Sequence, residues 1–190
     1  MAPRHGNAVT RALGRWVLRL LGWTVDVQLP DAPRVIVTAA PHTSNWDGIL
    51  AVSAILALGI RVNFFAKDTL FRWPFRGLLV ALGGVPIHRA AARDVVSQTV
   101  DIIGSRERIY VGVAPEGTRS RAPEWKSGFW RIAKAAKTPI LLAYIDYGRR
   151  RIGTGPLIQP GDDYAADLAA IQAFYRTITP RYPERFAAEG

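Results

Sequence analysis

Short apolar runs alternate with amphipathic stretches along most of this chain. The β-prone apolar runs predict strands at residues 35–40, 61–66, 109–113 and 139–145, and an outer strand at 149–158. Helical spacing of the apolar positions predicts helices at residues 8–24, 48–58, 78–82, 94–103 and 125–136, and a last helix from Asp163. Strands that alternate with helices indicate an α/β fold. We therefore predict one domain over residues 1–190, with a mixed, mostly parallel central sheet and helices packed over it.

The predicted helix at residues 8–24 is basic and amphipathic. Its apolar positions are Val9, Leu13, Trp16, Val17, Leu20 and Leu21, and its arginines, Arg11, Arg15 and Arg19, follow the other side four residues apart. A cationic stripe beside Trp and Leu is typical of a helix that lies on an anionic membrane surface. The alternative is a helix that packs on the domain and leaves its arginines in solvent.

The charge and the residue types narrow the function. The 190 residues include 25 Lys+Arg and 15 Asp+Glu, and the net charge of +10 indicates an anionic partner. The absence of cysteine excludes disulfides, thiolate metal sites and a cysteine nucleophile. The longest uncharged stretch, residues 48–60, has 13 residues, whereas a membrane-spanning helix needs about 20.

A histidine and an aspartate five residues apart follow the predicted strand at 35–40. A loop can bring His42 and Asp47 together, so that the carboxylate holds one imidazole nitrogen and the other nitrogen can accept a proton. The same stretch also reads as a helix start, in which Ser44 caps the helix and Asp47 lies near its positive end. The spacing alone leaves both interpretations open.

Three polar segments lie at the predicted strand ends or in the loops that follow: residues 42–47, 67–89 and 116–119. Each segment alone has an ordinary explanation, such as a tight turn or a solvated charge. Ligands of open α/β sheets bind beyond the carboxyl ends of the strands. In combination, one base and several cations predict a site for a hydroxyl compound that bears a phosphate.

The same segments resemble the motifs of the glycerolipid acyltransferases, whose best-known members are the 1-acylglycerol-3-phosphate acyltransferases. Residues 42–47 match the family's H-x4-D motif, and the other matching segments are residues 67–70, 84–89, 115–120 and 138–142. Two positions depart from the family pattern: Ala114 stands where Phe is usual, and Pro41 stands where a polar residue is common. The departures bear on the identity of the acceptor more than on the reaction class.

The resemblance implies a role for each matching residue. His42 would take the proton from an acceptor hydroxyl, and Asp47 would orient it. The acceptor site would be formed by Glu116, Gly117, Thr118 and Arg119, with Lys67 and Arg89 on the acceptor phosphate. The acyl donor would be acyl-CoA or an acyl-carrier protein, and the chemistry requires neither a metal nor a cofactor.

The implied enzyme would work as a peripheral protein on the cytoplasmic face of an anionic membrane. We expect no nucleic-acid partner, because no familiar nucleic-acid module surrounds the aromatic and cationic stretch at residues 70–75. Three alternatives remain open. One is a basic module that binds anionic lipid or nucleic acid without turnover, and another is acylation of a different lysolipid acceptor. The third is an esterase or thioesterase, for which Ser44 is the only serine within the histidine motif, although the chain has no G-x-S-x-G motif.

Overall fold

One sheet carries the strands in the part of the chain that the computed structural model describes, which comprises residues 2–74, 76–87, 92–122 and 124–187, with the backbone alone at 66, 67, 70 and 92–94. The strands of this part are β1 (Thr24–Asp26), β2 (Arg34–Ala39), β3 (Asn63–Lys67), β4 (Gly84–Ile87), β5 (Ile109–Val113), β6 (Ile140–Asp146) and β7 (Arg151–Ile158). Its helices are α1 (Ala8–Leu20), α2 (Asn45–Leu58), α3 (Arg76–Ala81), α4 (Ala92–Gly104), α5 (Gly128–Ala135) and α6 (Tyr164–Tyr175).

The strand order is β1-β7-β6-β2-β5-β3-β4. Strands β4, β3, β5, β2 and β6 are mutually parallel, so their carboxyl ends lie at one edge of the sheet. Strand β7 runs antiparallel to β6, and β1 pairs with β7 in parallel. This arrangement confirms the predicted α/β fold with a mixed, mostly parallel sheet.

Helices cover both faces of the sheet, because alternate strand residues point to opposite sides. Ile36 of β2 and Ile140 of β6 are fully buried in a core that also contains residues of α4, α5 and α6. On the other face, Ile145 of β6 and Ile152 of β7 pack in a second cluster with Leu18 of α1 and residues of α2. The site described below lies between these two layers, at the carboxyl ends of the parallel strands.

Helix α1 contacts α2 through its smallest residue. A Cβ added to Gly14 would lie 2.5 Å from the Ser53 carbonyl oxygen and 2.6 Å from the Ala57 nitrogen, so only glycine permits this approach of the two backbones. The buried residues of α1 are Gly14 and Leu18. Four of its other apolar side chains are more than half exposed: Val9, Leu13, Trp16 and Leu20.

Several element bounds differ from the sequence prediction. Helix α1 ends at Leu20 instead of residue 24, because Gly22 has a φ of +71° and β1 begins at Thr24. Helix α5 begins at Gly128 instead of residue 125, because Trp125 is buried in the core and donates through Nε1 to the Ala187 carbonyl, 3.0 Å away.

Two strands and one position in the sheet were missed by the sequence prediction. Strands β1 and β4 have three and four residues, too few for a clear alternation of polar and apolar positions. Strand β7 is not an outer strand, because β1 pairs along its far side. Strand β5, in contrast, has the predicted bounds. No helix in the described ranges is long and apolar enough to cross a bilayer.

Candidate active site

The loop between β2 and α2 carries the predicted histidine and aspartate. Ser44 caps α2: its Oγ accepts the Trp46 N–H at 2.9 Å, while the Asp47 carboxylate accepts the Ser44 N–H at 2.8 Å. The helix-start interpretation is therefore correct. It also occupies the Ser44 hydroxyl, which donates to Asp47 Oδ1 at 3.3 Å, so the structure gives no support to Ser44 as an esterase nucleophile.

The capping carboxylate is also the partner of the histidine. His42 Nδ1 lies 3.4 Å from Asp47 Oδ2, within ion-pair distance. The Asp47 side chain is buried, whereas the His42 side chain is 27% exposed. A proton on Nδ1 that faces the carboxylate leaves Nε2 free to accept a proton. The same carboxylate thus takes part in the cap of α2 and orients the histidine.

The Asp47 carboxylate remains ionised because donors surround it. Burial alone would raise its pKa, but hydrogen bonds from His42, Tyr147 and Ser44 outweigh this effect and hold the pKa below its usual value. Oδ2 accepts the N–H groups of Thr43 and Ser44, both at 2.8 Å, and Oδ1 accepts the Tyr147 hydroxyl at 2.7 Å. A negative charge at this point can stabilise an imidazolium on His42.

Tyr147 is a site residue that the sequence analysis missed. It follows β6, whose carboxyl end lies at the same sheet edge as that of β2, and its hydroxyl reaches Asp47 across 100 residues of sequence. Burial, and then the adjacent Asp47 carboxylate, raise the pKa of Tyr147 to about 12, so the phenol stays protonated and donates. The rule that ligand groups follow the carboxyl ends of parallel strands could have identified this residue.

Glu116 connects the third segment to the histidine loop. It follows β5, its side chain is buried, and both of its carboxyl oxygens accept the His42 backbone N–H, at 3.1 and 3.2 Å. Burial raises the pKa of Glu116, the contacts with His42 lower it, and the nearby negative charge of Asp47 raises it; together they bring the pKa to about 7. The predicted acceptor-site residue is therefore a support of the histidine backbone in this structure.

The residues after Glu116 turn outward. Gly117 has a φ of +67°, and a Cβ there would lie 2.9 Å from the Lys126 side chain. Thr118 and Arg119 are exposed, and Thr118 Oγ1 accepts the Ser120 N–H at 3.2 Å. Arg119 Nη1 donates to Asn45 Oδ1 in the first turn of α2. This contact places the Arg119 guanidinium beside the histidine loop.

Two predicted cations receive less support from the structure. Lys67 ends β3, whose carboxyl end lies at the same edge as those of β2 and β5, but its side chain is outside the part of the chain that the structure describes. Arg89 lies wholly outside the described residues. Both assignments stay predictions.

A segment after α6 crosses the histidine loop, which no motif had indicated. The Tyr182 N–H donates to Thr43 Oγ1 at 3.3 Å, and Arg185 Nη1 donates to the Thr43 carbonyl at 3.4 Å. The Arg181 guanidinium lies over the Trp46 ring at 5.4 Å from its centroid.

Among the described residues, no group of three His, Cys, Asp or Glu side chains could hold a metal ion.

Comparison with known proteins places this geometry in a family. A family model named Acyltransferase matches residues 25–145. The 1-acyl-sn-glycerol-3-phosphate acyltransferase of Salmonella typhimurium is 30% identical over 149 residues, which cover 73% of this chain and 59% of that protein. A chloroplastic 1-acyl-sn-glycerol-3-phosphate acyltransferase of Arabidopsis thaliana is 28% identical over 133 residues, 66% of this chain and 35% of that protein.

The fold has a solved counterpart. The crystal structure of the 1-acyl-sn-glycerophosphate acyltransferase PlsC from Thermotoga maritima superposes with a TM-score of 0.62 and 21% identity, over 89% of this chain and 76% of that one. The chain spans only 59% of the length of the Salmonella relative. The family model, in contrast, covers more than half of the chain and includes the segments that carry His42, Asp47, Glu116 and Arg119. The chain therefore belongs to the acyltransferase family.

Proposed function

We propose that the chain transfers a fatty acyl group from an acyl thioester to a hydroxyl group of a phosphorylated glycerolipid such as lysophosphatidic acid. The observation that carries the proposal is the pairing of His42 Nδ1 with the buried, ionised Asp47 beside the Arg119 guanidinium. This arrangement brings a base close to a cation that can bind phosphate. Family membership and the names of the relatives agree with this chemistry.

In the proposed reaction, His42 Nε2 removes the proton of the acceptor hydroxyl as the oxygen attacks the thioester carbonyl carbon. The new C–O bond replaces the C–S bond, and the imidazolium returns the proton to the departing thiolate. Asp47 stabilises the imidazolium between these two steps. The acyl group passes directly to the acceptor, so the scheme contains no acyl-enzyme, no metal and no cofactor.

The donor thiol is that of coenzyme A or an acyl-carrier protein, and the acceptor phosphate lies on Arg119. A guanidinium can hold two phosphate oxygens at once, which fixes the acceptor as well as binding it. The adjacent Gly117 and Thr118 leave this side of the site open to solvent. Lys67 and Arg89 are proposed to contribute further positive charge.

Helix α1 is proposed to hold the enzyme on the cytoplasmic face of an anionic membrane. Trp16 is 60% exposed and Leu20 is 69% exposed, and the helix carries exposed arginines at positions 15 and 19. Exposed apolar side chains with flanking cations favour the interface between lipid headgroups and acyl chains. Such a position would bring the lysolipid acceptor to the active site without its leaving the membrane.

The first prediction tests the base. His42→Ala should lower kcat by about 10²–10⁴-fold, the usual contribution of a general base, with little change in the thermal midpoint, because the backbone N–H that Glu116 accepts remains. Asp47→Asn should also be severe, but with some loss of stability, since the carboxylate accepts several hydrogen bonds. The measurements are acyl-transfer rates and thermal midpoints.

His5→Ala is the matched control for the histidine variant. His5 is also partly exposed, and its ring Nε2 lies 3.1 Å from the Ala81 carbonyl, away from the histidine loop. It should retain the parent rate. Near-parent turnover of His42→Ala would contradict the proposed reaction. If neither the parent nor His5→Ala transferred acyl groups, a binding module without turnover would be favoured.

The second prediction concerns the acceptor phosphate. Arg119→Ala should raise the acceptor KM about tenfold or more, since a hydrogen bond to a charged group contributes about 1.5–3 kcal/mol, while the donor KM changes little. Arg121→Ala removes another exposed arginine two residues away and should have no such effect. Equal losses with a phosphate-free acceptor such as monoacylglycerol would contradict this role of Arg119.

The third prediction is a pH dependence of stability set by Glu116. Its pKa in the folded protein, about 7, lies above its ordinary value of 4.5, so folding favours the neutral carboxyl. This contribution is complete below about pH 4.5 and is lost as the pH rises through about 7. Glu116→Gln removes the titrating group but keeps an acceptor for the His42 N–H.

The thermal midpoint of Glu116→Gln should therefore rise relative to that of the parent between pH 5 and pH 8. The expected rise is roughly 2–4 °C for each kcal/mol of unfolding free energy that the parent loses over this range. Groups that do not interact with Glu116 titrate alike in both proteins and cancel in this difference. The exposed Glu107 provides the control: Glu107→Gln should follow the parent across the same range. A difference that is constant with pH would show that the Glu116 carboxyl is not held neutral by folding.

The fourth prediction tests the membrane helix without disturbing its packing. Trp16→Ser/Leu20→Ser should weaken binding to vesicles that contain phosphatidylglycerol about tenfold or more, because burial of one large apolar side chain contributes about 1.5–3 kcal/mol. Flotation and the thermal midpoint are measured together. Leu157→Ser, an exposed leucine of β7, is the control. Undiminished flotation of the double variant would leave α1 with a structural role only.

A further inference from the structure

A cavity of about 290 Å³ lies between the end of α1, the first turns of α2 and the β6–β7 turn. We propose that it binds the phosphate-bearing headgroup of an anionic phospholipid, at a site distinct from the acceptor phosphate on Arg119. The volume corresponds to about ten water molecules, which suits a headgroup of glycerophosphate size. Its walls combine two arginines, Arg150 and Arg181, with the aromatic side chains of Trp23, Trp46 and Tyr147.

Arg181 is held in the cavity wall by aromatic rings. Its guanidinium lies 5.4 Å from the Trp46 centroid, 5.8 Å from that of Tyr147 and 5.6 Å from that of Tyr182. Such contacts restrict the side chain without neutralising its charge. The guanidinium keeps its charge available for an anion.

Arg150 is positioned by its backbone. It has a φ of +47°, a conformation that non-glycine residues rarely adopt, and its carbonyl accepts the Thr24 N–H at 3.0 Å. Its guanidinium passes over Gly22, where a Cβ would lie 3.2 Å from Nη1. A strained backbone and a close glycine together direct this arginine toward the cavity.

The neighbours of Arg150 in sequence have acidic partners. Arg149 Nη1 lies 3.2 Å from Asp146 Oδ2, and Arg151 Nη1 lies 3.3 Å from Asp26 Oδ2. Within the described ranges, neither Arg150 nor Arg181 forms an ion pair with a carboxylate. Two positioned guanidinium groups on one cavity leave a site for an external anion, and a guanidinium is well suited to bind phosphate oxygens.

The surroundings of the cavity favour a lipid as the source of that phosphate. Leu21 lines the cavity directly after the exposed Leu20 of α1, and on α2 both Trp46 and Ile49 are more than 40% exposed. Tryptophan and arginine beside exposed apolar side chains are typical of the headgroup level of a membrane. A headgroup in the cavity would therefore belong to a lipid of the surface on which α1 lies.

The cavity and the acceptor site lie on different sides of the first turn of α2. Arg119 contacts this turn at Asn45, whereas the cavity is lined by Trp46 and Leu50. Tyr147, which also lines the cavity, donates to Asp47 Oδ1, whereas His42 Nδ1 lies near the other carboxylate oxygen, Oδ2. A lipid in the cavity would therefore lie behind the His42–Asp47 pair and would not be the reacting acceptor.

The test uses dihexanoyl-phosphatidylglycerol below its micelle concentration, with the indole N–H signals of Trp23 and Trp46 followed by NMR. The parent chain should show saturable shifts of both signals. Arg150→Gln/Arg181→Gln should raise the Kd about tenfold or more, as expected for lost charge-assisted contacts. The control Arg131→Gln/Arg151→Gln removes the same charge from α5 and from the arginine next to Arg150, and should retain the parent Kd.

Leu21→Trp separates a shaped site from diffuse attraction. It keeps both arginines and fills part of the cavity, so it should abolish the saturable shifts although the net charge is unchanged. Coenzyme A and inorganic phosphate are titrated in parallel. Dependence of coenzyme A binding, and not lipid binding, on the two arginines would overturn the proposal and assign the cavity to the acyl donor.

An unchanged lipid Kd in Arg150→Gln/Arg181→Gln, or full binding by Leu21→Trp, would also overturn it. His42→Ala should bind the short-chain lipid as the parent does, because the cavity does not include the proposed base. Failure of acyl transfer and failure of the lipid site are therefore seen in different variants.

Discussion

The active site depends on one buried carboxylate. Asp47 can remain ionised away from solvent because the His42 imidazole lies beside it and because three other groups, Thr43, Ser44 and Tyr147, donate hydrogen bonds to it. Two of these donors belong to its own loop, and the third follows β6, which the sheet places directly beside β2. The orientation of His42 is thus set by the strand order as much as by the loop. The short histidine motif of this chain therefore depends on the neighbouring strand β6 to supply a donor for Asp47.

The carboxylate performs two tasks that the sequence presents as alternatives. It completes the capping box of α2, and it faces the imidazole. The tasks are compatible because Oδ2 accepts the loop N–H groups and lies near His42 Nδ1, while Oδ1 accepts the hydroxyl groups of Tyr147 and Ser44. A helix start also favours negative charge. The helix therefore helps to keep the partner of the proposed base ionised.

Local pattern predicted the elements and the histidine loop well, and long-range contacts account for what it missed. His42 and Asp47 are near in sequence, so their spacing could indicate their contact. Tyr147 reaches Asp47 only because β6 pairs with β2, and Arg181 reaches Trp46 only because the chain returns over the loop after α6. Neither contact has a short motif. The short β1 was missed for a related reason, since its pairing with β7 defines it and its own three residues carry little pattern.

The net charge of +10 indicates a ligand only where a cation has no acidic partner among the residues that the structure describes. Arg149 and Arg151 are paired with aspartates, so the charge of the β6–β7 turn does not by itself indicate a ligand. Arg150 and Arg181 differ because backbone conformation and aromatic rings hold them on a cavity beside the exposed side of α1 and α2. An enzyme that acts on lipids must distinguish the lipid that it modifies from the lipids that surround it. In the proposed scheme, cations on different sides of the first turn of α2 would place one phosphate for reaction and keep another behind the His42–Asp47 pair.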